Sequence, residues 1–299
     1  MSKIFECITA MKSSSYTTIP SESRFLSGVG EILQGFPERT RIILSDRYNL
    51  SGKLKKGKTL EAIGREYNIT RERVRQIIQY AMKVARDKGM KSVDSAVSSV
   101  DLTLTEKGGI LSRERLLADL GVTYKGDEGA LDYILDLSDK FTVLSPDRYV
   151  THAVSKSDFD HKVFREVIER IESFLFENKK PNSLELLHKN VSDLYDIQVD
   201  IQHLESFLIS SATIDRNPLG EWGMMHWGEI RPKSAGQRAY LALRFFGKPM
   251  HFTQISQKIH DLGLSSQKVN SQTVHNELIK SPLFVLCGRG VYGLSEWAK

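Results

Sequence analysis

Residues 59–86 read TLEAIGREYNITRERVRQIIQYAMKVAR, and the run parses as two short amphipathic helices joined by a tight turn. Thr59 is a good N-cap, because its hydroxyl can accept a backbone N–H two or three residues on. Leu60, Ile63 and Tyr67 follow at i, i+3 and i+7, an apolar stripe facing inward. Asn68 ends this helix, Ile69 plugs the turn and Thr70 caps the next helix. Val74, Ile77, Ile78 and Ala81 form a second buried stripe, which leaves Arg71, Glu72, Arg73, Arg75 and Gln76 pointing outward.

That outward set is chemically suited to the edges of base pairs. Arginine can bond guanine bidentately, glutamine can bond adenine, and glutamate can accept from the cytosine amino group. Thr59 and the first amides of its helix can hold a phosphate, since a helix N-terminus favours an anion. Between Pro37 and Arg86 stand thirteen Lys/Arg and five Asp/Glu, a net of +8 against +5 for the whole chain, so everything outside sums to −3. Positive charge is concentrated where the second helix lies, as a phosphate-binding surface requires. A solvated helix pair with ordinary surface charges has the same composition and stays open as the plainer reading.

Over a longer stretch, Phe36 to Arg86 resembles region four of bacterial primary sigma factors, the domain that binds the −35 promoter element. PERTRIILSDRYNL (37–50) is similar to that region's first helix, the basic loop SGKLKKGK follows, and TLEAIGREYNITRERVRQI is close to the sigma helix-turn-helix. The resemblance implies that Arg71, Glu72 and Gln76 face bases. It also implies that Thr59, Arg73 and Arg75 face phosphates or base-pair flanks, with the cap Thr70 counted in the same double-stranded DNA interface. It further implies a grip on the flap of the RNA polymerase β subunit, through the face around Ile42 to Tyr48. A sigma factor also needs an upstream region two, and Met1 to Gln34 carries only Phe5, Tyr16 and Phe25 among Ser and Thr. The expectation is a sigma domain used outside a complete initiation factor.

The 299 residues have room for two to four domains. Cys7 and Cys287 are far apart and read as incidental thiols in a reducing compartment. No apolar run approaches the roughly 18 residues of a membrane span, and MSKIFECITAMKSSS lacks the apolar core of a signal peptide. No membrane partner and a cytoplasmic location are expected.

Behind a connector around Asp87 to Ser99, one pattern recurs three times: a helix, a break, a capped second helix, a third helix, then strand–turn–strand. The caps are Ser112, Ser183 and Thr253, 71 and 70 residues apart, a period that suits small independent domains rather than a solenoid. Three helices with a two-stranded ribbon is the winged-helix plan. Ser234 to Trp297 resembles the HARE-type winged helix shared by the delta subunit of RNA polymerase, some restriction enzymes and certain chromatin proteins; AYLALRFFGKPMHFTQIS and FVLCGRGVYGLSEW carry the match. The expected fold is therefore mainly α with short β-hairpins, a sigma region-four-like helix-turn-helix followed by three tandem winged-helix domains. The expected boundaries are 1–35, 36–90, 96–153, 157–231 and 234–299.

Residues 96–299 carry 24 Lys/Arg and 27 Asp/Glu, so these modules gain little from counterion release and protein partners are as plausible as DNA. Lys268 to His275 and Arg289 are local exceptions that could meet phosphate. Gly288, Gly290 and Gly293 spell GxGxxG, but a dinucleotide site needs a helix after it, and these glycines read as a hairpin turn. No HExxH, no Cys/His metal spacing and no paired acids stand out, so no cofactor, no metal and no enzymatic activity are expected. The leading expectation is a DNA-binding transcription regulator that also contacts RNA polymerase. The alternatives are a polymerase-docking protein, sigma-competing or delta-like, without specific readout, and a nuclease accessory module.

Overall fold

The computed structural model describes residues 24–88, 90–195 and 199–298. Much of the 1–35 segment, including Cys7 and Tyr16, lies outside them. The chain is mainly helical with small antiparallel sheets, and it divides into two units. One holds residues to Pro146 with Thr151–Phe159, the other Asp147–Val150 with Asp160–Lys299.

The first unit begins with α1 (Arg24–Gln34), which buries Phe25, Leu26 and Val29 along one face. Pro37 precedes α2 (Glu38–Tyr48), and Asn49 ends it in the left-handed region, φ 52°. The Asn49 side chain then pins the basic loop: its Nδ2 donates to Leu54 O at 2.7 Å and its Oδ1 accepts from Leu54 N at 3.0 Å. Next come α3 (Leu60–Tyr67) and α4 (Arg71–Asp87), joined by Asn68 at φ 52°. Gly64 is needed here, because a Cβ would come within 2.7 Å of Ile69 O across the turn.

Behind them, α5 (Asp94–Glu106) buries Ala96, Val97, Val100 and Leu104. It is followed by β1 (Ile110–Ser112), α6 (Arg113–Asp119), α7 (Lys125–Leu137), β2 (Phe141–Leu144) and β3 (Ala153–Lys156), in a sheet of order β1-β3-β2. Ser112 caps α6 by accepting from Arg115 N. The third helix of this module, α7, starts at Lys125 and is buried almost all round. Packing explains this: α7 lies against α1 and α2 as well as its own module. Gly126 and Gly129 let its backbone approach theirs; a Cβ on Gly129 would sit 1.8 Å from Tyr48 O. Asp127, buried on α7, accepts from Leu26 N at 3.0 Å and so satisfies an open donor at the start of α1. One hydrophobic cluster runs from Phe25 to Val154, so the stretches 36–90 and 96–153 share a single core.

The second unit repeats the element order of residues 94–156 twice. The first repeat has α8 (His161–Asn178), α9 (Leu184–Tyr195), α10 (Ile201–Ser210), β4 (Ile214–Arg216) and β5 (Trp222–Met224). A single bridge, Asn182 to Trp222, stands where β1 pairs β3 in the first unit. The second repeat has α11 (Ala235–Phe246), β6 (Met250–His251), α12 (Phe252–Asp261), α13 (Ser271–Lys280), β7 (Phe284–Gly288) and β8 (Val291–Leu294), with sheet order β6-β8-β7. Ser183 caps α9 by accepting from Leu186 N. The cap of α12 is His251 rather than the expected Thr253: its Nδ1 accepts from Thr253 N, and Gln254 Oε1 accepts from His251 N in return. The glycines of the GxGxxG run belong to the β7–β8 hairpin, with Gly290 at φ 70°.

Candidate nucleic-acid interface

Two threonines set the geometry of the helix pair. Thr59 Oγ1 accepts from Ala62 N and Thr70 Oγ1 accepts from Arg73 N, both at 3.1 Å. Each cap satisfies one of the open amides at a helix start and leaves others facing solvent. Ile63, Val74, Ile78 and Ala81 are buried beneath them, with Leu60, Tyr67 and Ile77 at the margin. Arg71, Glu72, Arg73, Arg75 and Gln76 are all exposed on α4, together with both caps. All seven positions picked from sequence are therefore exposed to solvent.

Those side chains are linked along the helix. Glu72 accepts from Arg75 Nη2 at 2.6 Å and Nε at 2.8 Å, and from Gln76 Nε2 at 3.4 Å. Arg73 Nη1 donates to Gln76 Oε1 at 3.3 Å. The Arg75 guanidinium holds the Glu72 carboxyl below its ordinary range. Pairs this exposed contribute little to stability and exchange partners readily, so they arrange these side chains without locking them. Arg71 stands at the edge of a shallow cleft lined by Glu61, Gly64, Arg65, Asn68, Ile69 and Thr70.

The basic loop is shaped from below. Lys58 Nζ donates to Asp46 at 3.0 Å and Glu66 at 2.6 Å, and Tyr67 Oη donates to Asp46 at 2.9 Å. Burial works against the Lys58 charge, but the two carboxylates raise its pKa overall. Gly57 presses on the end of α2, where a Cβ would lie 1.8 Å from Arg47 O. Lys53, Lys55 and Lys56 remain exposed. The local charge of +8 is thus partly structural. Lys58 braces the loop, and Arg86 donates to Leu137 O and Asp136 O at 2.8 Å each, closing the C-terminal end of α7.

Sequence reasoning passed over Gln79, Tyr80 and Lys83, which follow Gln76 at i+3, i+4 and i+7 and are exposed; Tyr80 keeps 69 % of its surface. Continuing the same helical spacing by two turns finds them. Of the stretch Ile42 to Tyr48, for which a grip on a polymerase flap is expected, Arg47 is exposed and Ile42, Ser45 and Asp46 are half-buried. Ile43, Leu44 and Tyr48 are buried, Tyr48 stacks edge-on against Tyr133 at 5.3 Å, and its hydroxyl donates to Asp136.

Among the described residues no group of His, Cys, Asp or Glu is arranged to hold a metal ion, and no helix is long and apolar enough to cross a membrane. No curated protein and no solved structure matches the chain. Residues 32–87 match the family described as Sigma-70, region 4, and this match to a minor part of the chain supports a DNA-binding, sigma-like helix-turn-helix role for the stretch whose geometry is described above.

Proposed function

We propose that this protein is a non-enzymatic, sigma-like transcription regulator that reads double-stranded promoter DNA through the helix at 70–86 and also contacts RNA polymerase. Arg71, Glu72 and Gln76 face base edges in the major groove. Thr59, Thr70, Arg73 and Arg75 hold the flanking phosphates. One observation carries the reading: the first turns of α4 present these polar side chains to solvent, over a buried apolar face that fixes their direction. The region-four match over 32–87 supports the same role. The three modules, each of three helices followed by a strand pair, are read as tandem winged helices, the last of the HARE type. Any polymerase contact, the β flap included, uses a surface other than the buried Ile43, Leu44 and Tyr48. A cytoplasmic location follows from that role.

Selection from a random duplex library at two salt concentrations tests the proposal. A recovered motif is expected at both. Changing Arg71 and Gln76 together to Ala should cost about 1–3 kcal/mol for each base that was bonded bidentately, and should relax the motif. Undiminished binding of that double variant, or attraction that returns no motif and vanishes with salt, would leave a polymerase-docking protein without readout as the better account.

A further inference from the structure

Five of the twelve large apolar side chains that stand exposed among the described residues fall between Ile279 and Trp297, on and around β7; Ile279 and Leu286 each keep 62 % of their surface. β7 ends the sheet of order β6-β8-β7, so one of its sides has no neighbouring strand. Ser295 N donates to Leu283 O. Bonds to a neighbour alternate along an antiparallel ladder, so Val285 turns its main chain to Gly293, while Phe284 O and both main-chain groups of Leu286 point away from β8. A bulge between Leu286 and Gly288 bends the strand beyond that point, and Leu283 to Leu286 form the regular part of the open edge. Sheets blunt such an edge with charge or cover it. Here no charged residue stands between Ser281 and Gly288.

We propose that β7 takes an extended segment of a protein partner, apolar at alternate positions and acidic at both ends, as a fourth strand of this sheet. Main-chain bonds to Phe284 and Leu286 give the affinity, and side chains on the two faces give the choice of partner. On one face the incoming strand lies beside Leu286, on the other beside Val285. The second face is apolar too: Cys287, Pro249 and Trp297 crowd over Gly293, where a Cβ would come within 3.1 to 3.3 Å of all three. Charge selects the ends. Lys280 before the strand and Arg289 after it are exposed, and residues 234–299 carry eight Lys/Arg against three Asp/Glu, so acidic flanks are attracted at both ends. A second copy fits worse, because antiparallel pairing of two β7 strands would bring Arg289 of each beside Lys280 of the other.

Selection of displayed random peptides of about twelve residues on the full chain, with no DNA present, tests this edge independently of α4. The recovered peptides should alternate apolar residues and carry acidic ones at both ends. A proline at the centre of such a peptide should abolish binding, since it removes a ladder donor. Leu286→Lys should weaken binding about tenfold or more, with an unchanged melting temperature because the side chain is exposed. Lys280→Glu with Arg289→Glu should turn the preference from acidic to basic ends. The proposal is overturned if no peptide is recovered, if the recovered peptides tolerate the central proline, or if they bind the Leu286→Lys chain equally well. It is overturned as well if sedimentation velocity shows the unaltered chain to be a dimer that Leu286→Lys dissociates, for then a second copy covers β7.

Discussion

At the scale of single residues, the first unit holds a pair of tyrosines whose chemistry is set by burial. Tyr133 is fully buried, its hydroxyl has no hydrogen-bond partner among the described residues, and burial pushes its pKa up to about 12. Tyr48 is raised by burial first and by the neighbouring Asp136 carboxylate second. A folded chain that keeps these phenols neutral while the unfolded chain ionises binds more protons than its unfolded state. Stability is therefore fully present below the ordinary value of 10.0 and falls as pH rises above it. Alkaline unfolding followed by circular dichroism should show that loss, and Tyr133→Phe should move the transition to higher pH. An unmoved transition would mean that this ring does not control it. The exposed residues of α4 behave differently. Glu72 and Arg75 are paired but solvated, so a phosphate can take over Arg75 without a buried charge being stranded.

At the scale of elements, the arrangement of α7 against α2 depends on two glycines. A Cβ on Gly126 would come 2.8 Å from Leu50 O, and one on Gly129 1.8 Å from Tyr48 O. Backbone cannot yield as a flexible side chain can, so Gly129→Ala should destabilise the first unit by about 3 kcal/mol. Gly30, inside α1, has nothing within 4 Å of its missing Cβ. Gly30→Ala should therefore stabilise by about 0.5–1 kcal/mol through helix propensity alone. Urea unfolding of the two variants side by side measures both signs. Equal midpoints would show that the close approach of α7 to α2 is not what holds these elements together.

At the scale of the whole molecule, the helix-turn-helix does not own its core. Val74, Ile78 and Ala81 of α4 belong to the same buried cluster as Leu104, Leu131, Ile134 and Val154, and α1 contributes Phe25, Leu26 and Val29. A fragment of residues 36–90 would expose that shared surface and should be largely unfolded by circular dichroism, whereas residues 24–159 should melt as one cooperative transition. A sharp, independent transition in the short fragment would contradict the shared core. Within the second unit, Arg244 donates to Glu221 at 2.9 and 3.2 Å and ties its last module to the one before.

The helix pair was legible in the sequence because its causes are local. Thr59 and Thr70 cap by their own hydroxyls, Asn68 adopts the left-handed turn, and 3.6-residue spacing sorts Val74, Ile78 and Ala81 from Arg71, Glu72 and Gln76. Ser112 and Ser183 announced helix starts for the same reason, while at α12 His251 stands at the cap in place of Thr253, its ring nitrogen accepting from Thr253 N. The tertiary structure alone decided that α7 is covered by α1 and α2, that Ile43, Leu44 and Tyr48 are closed off, and that α13 stands open. Periodicity reports which face of a helix is apolar. Which distant segment covers that face depends on pairings across a hundred residues, such as Leu26 with Asp127, that no local pattern encodes.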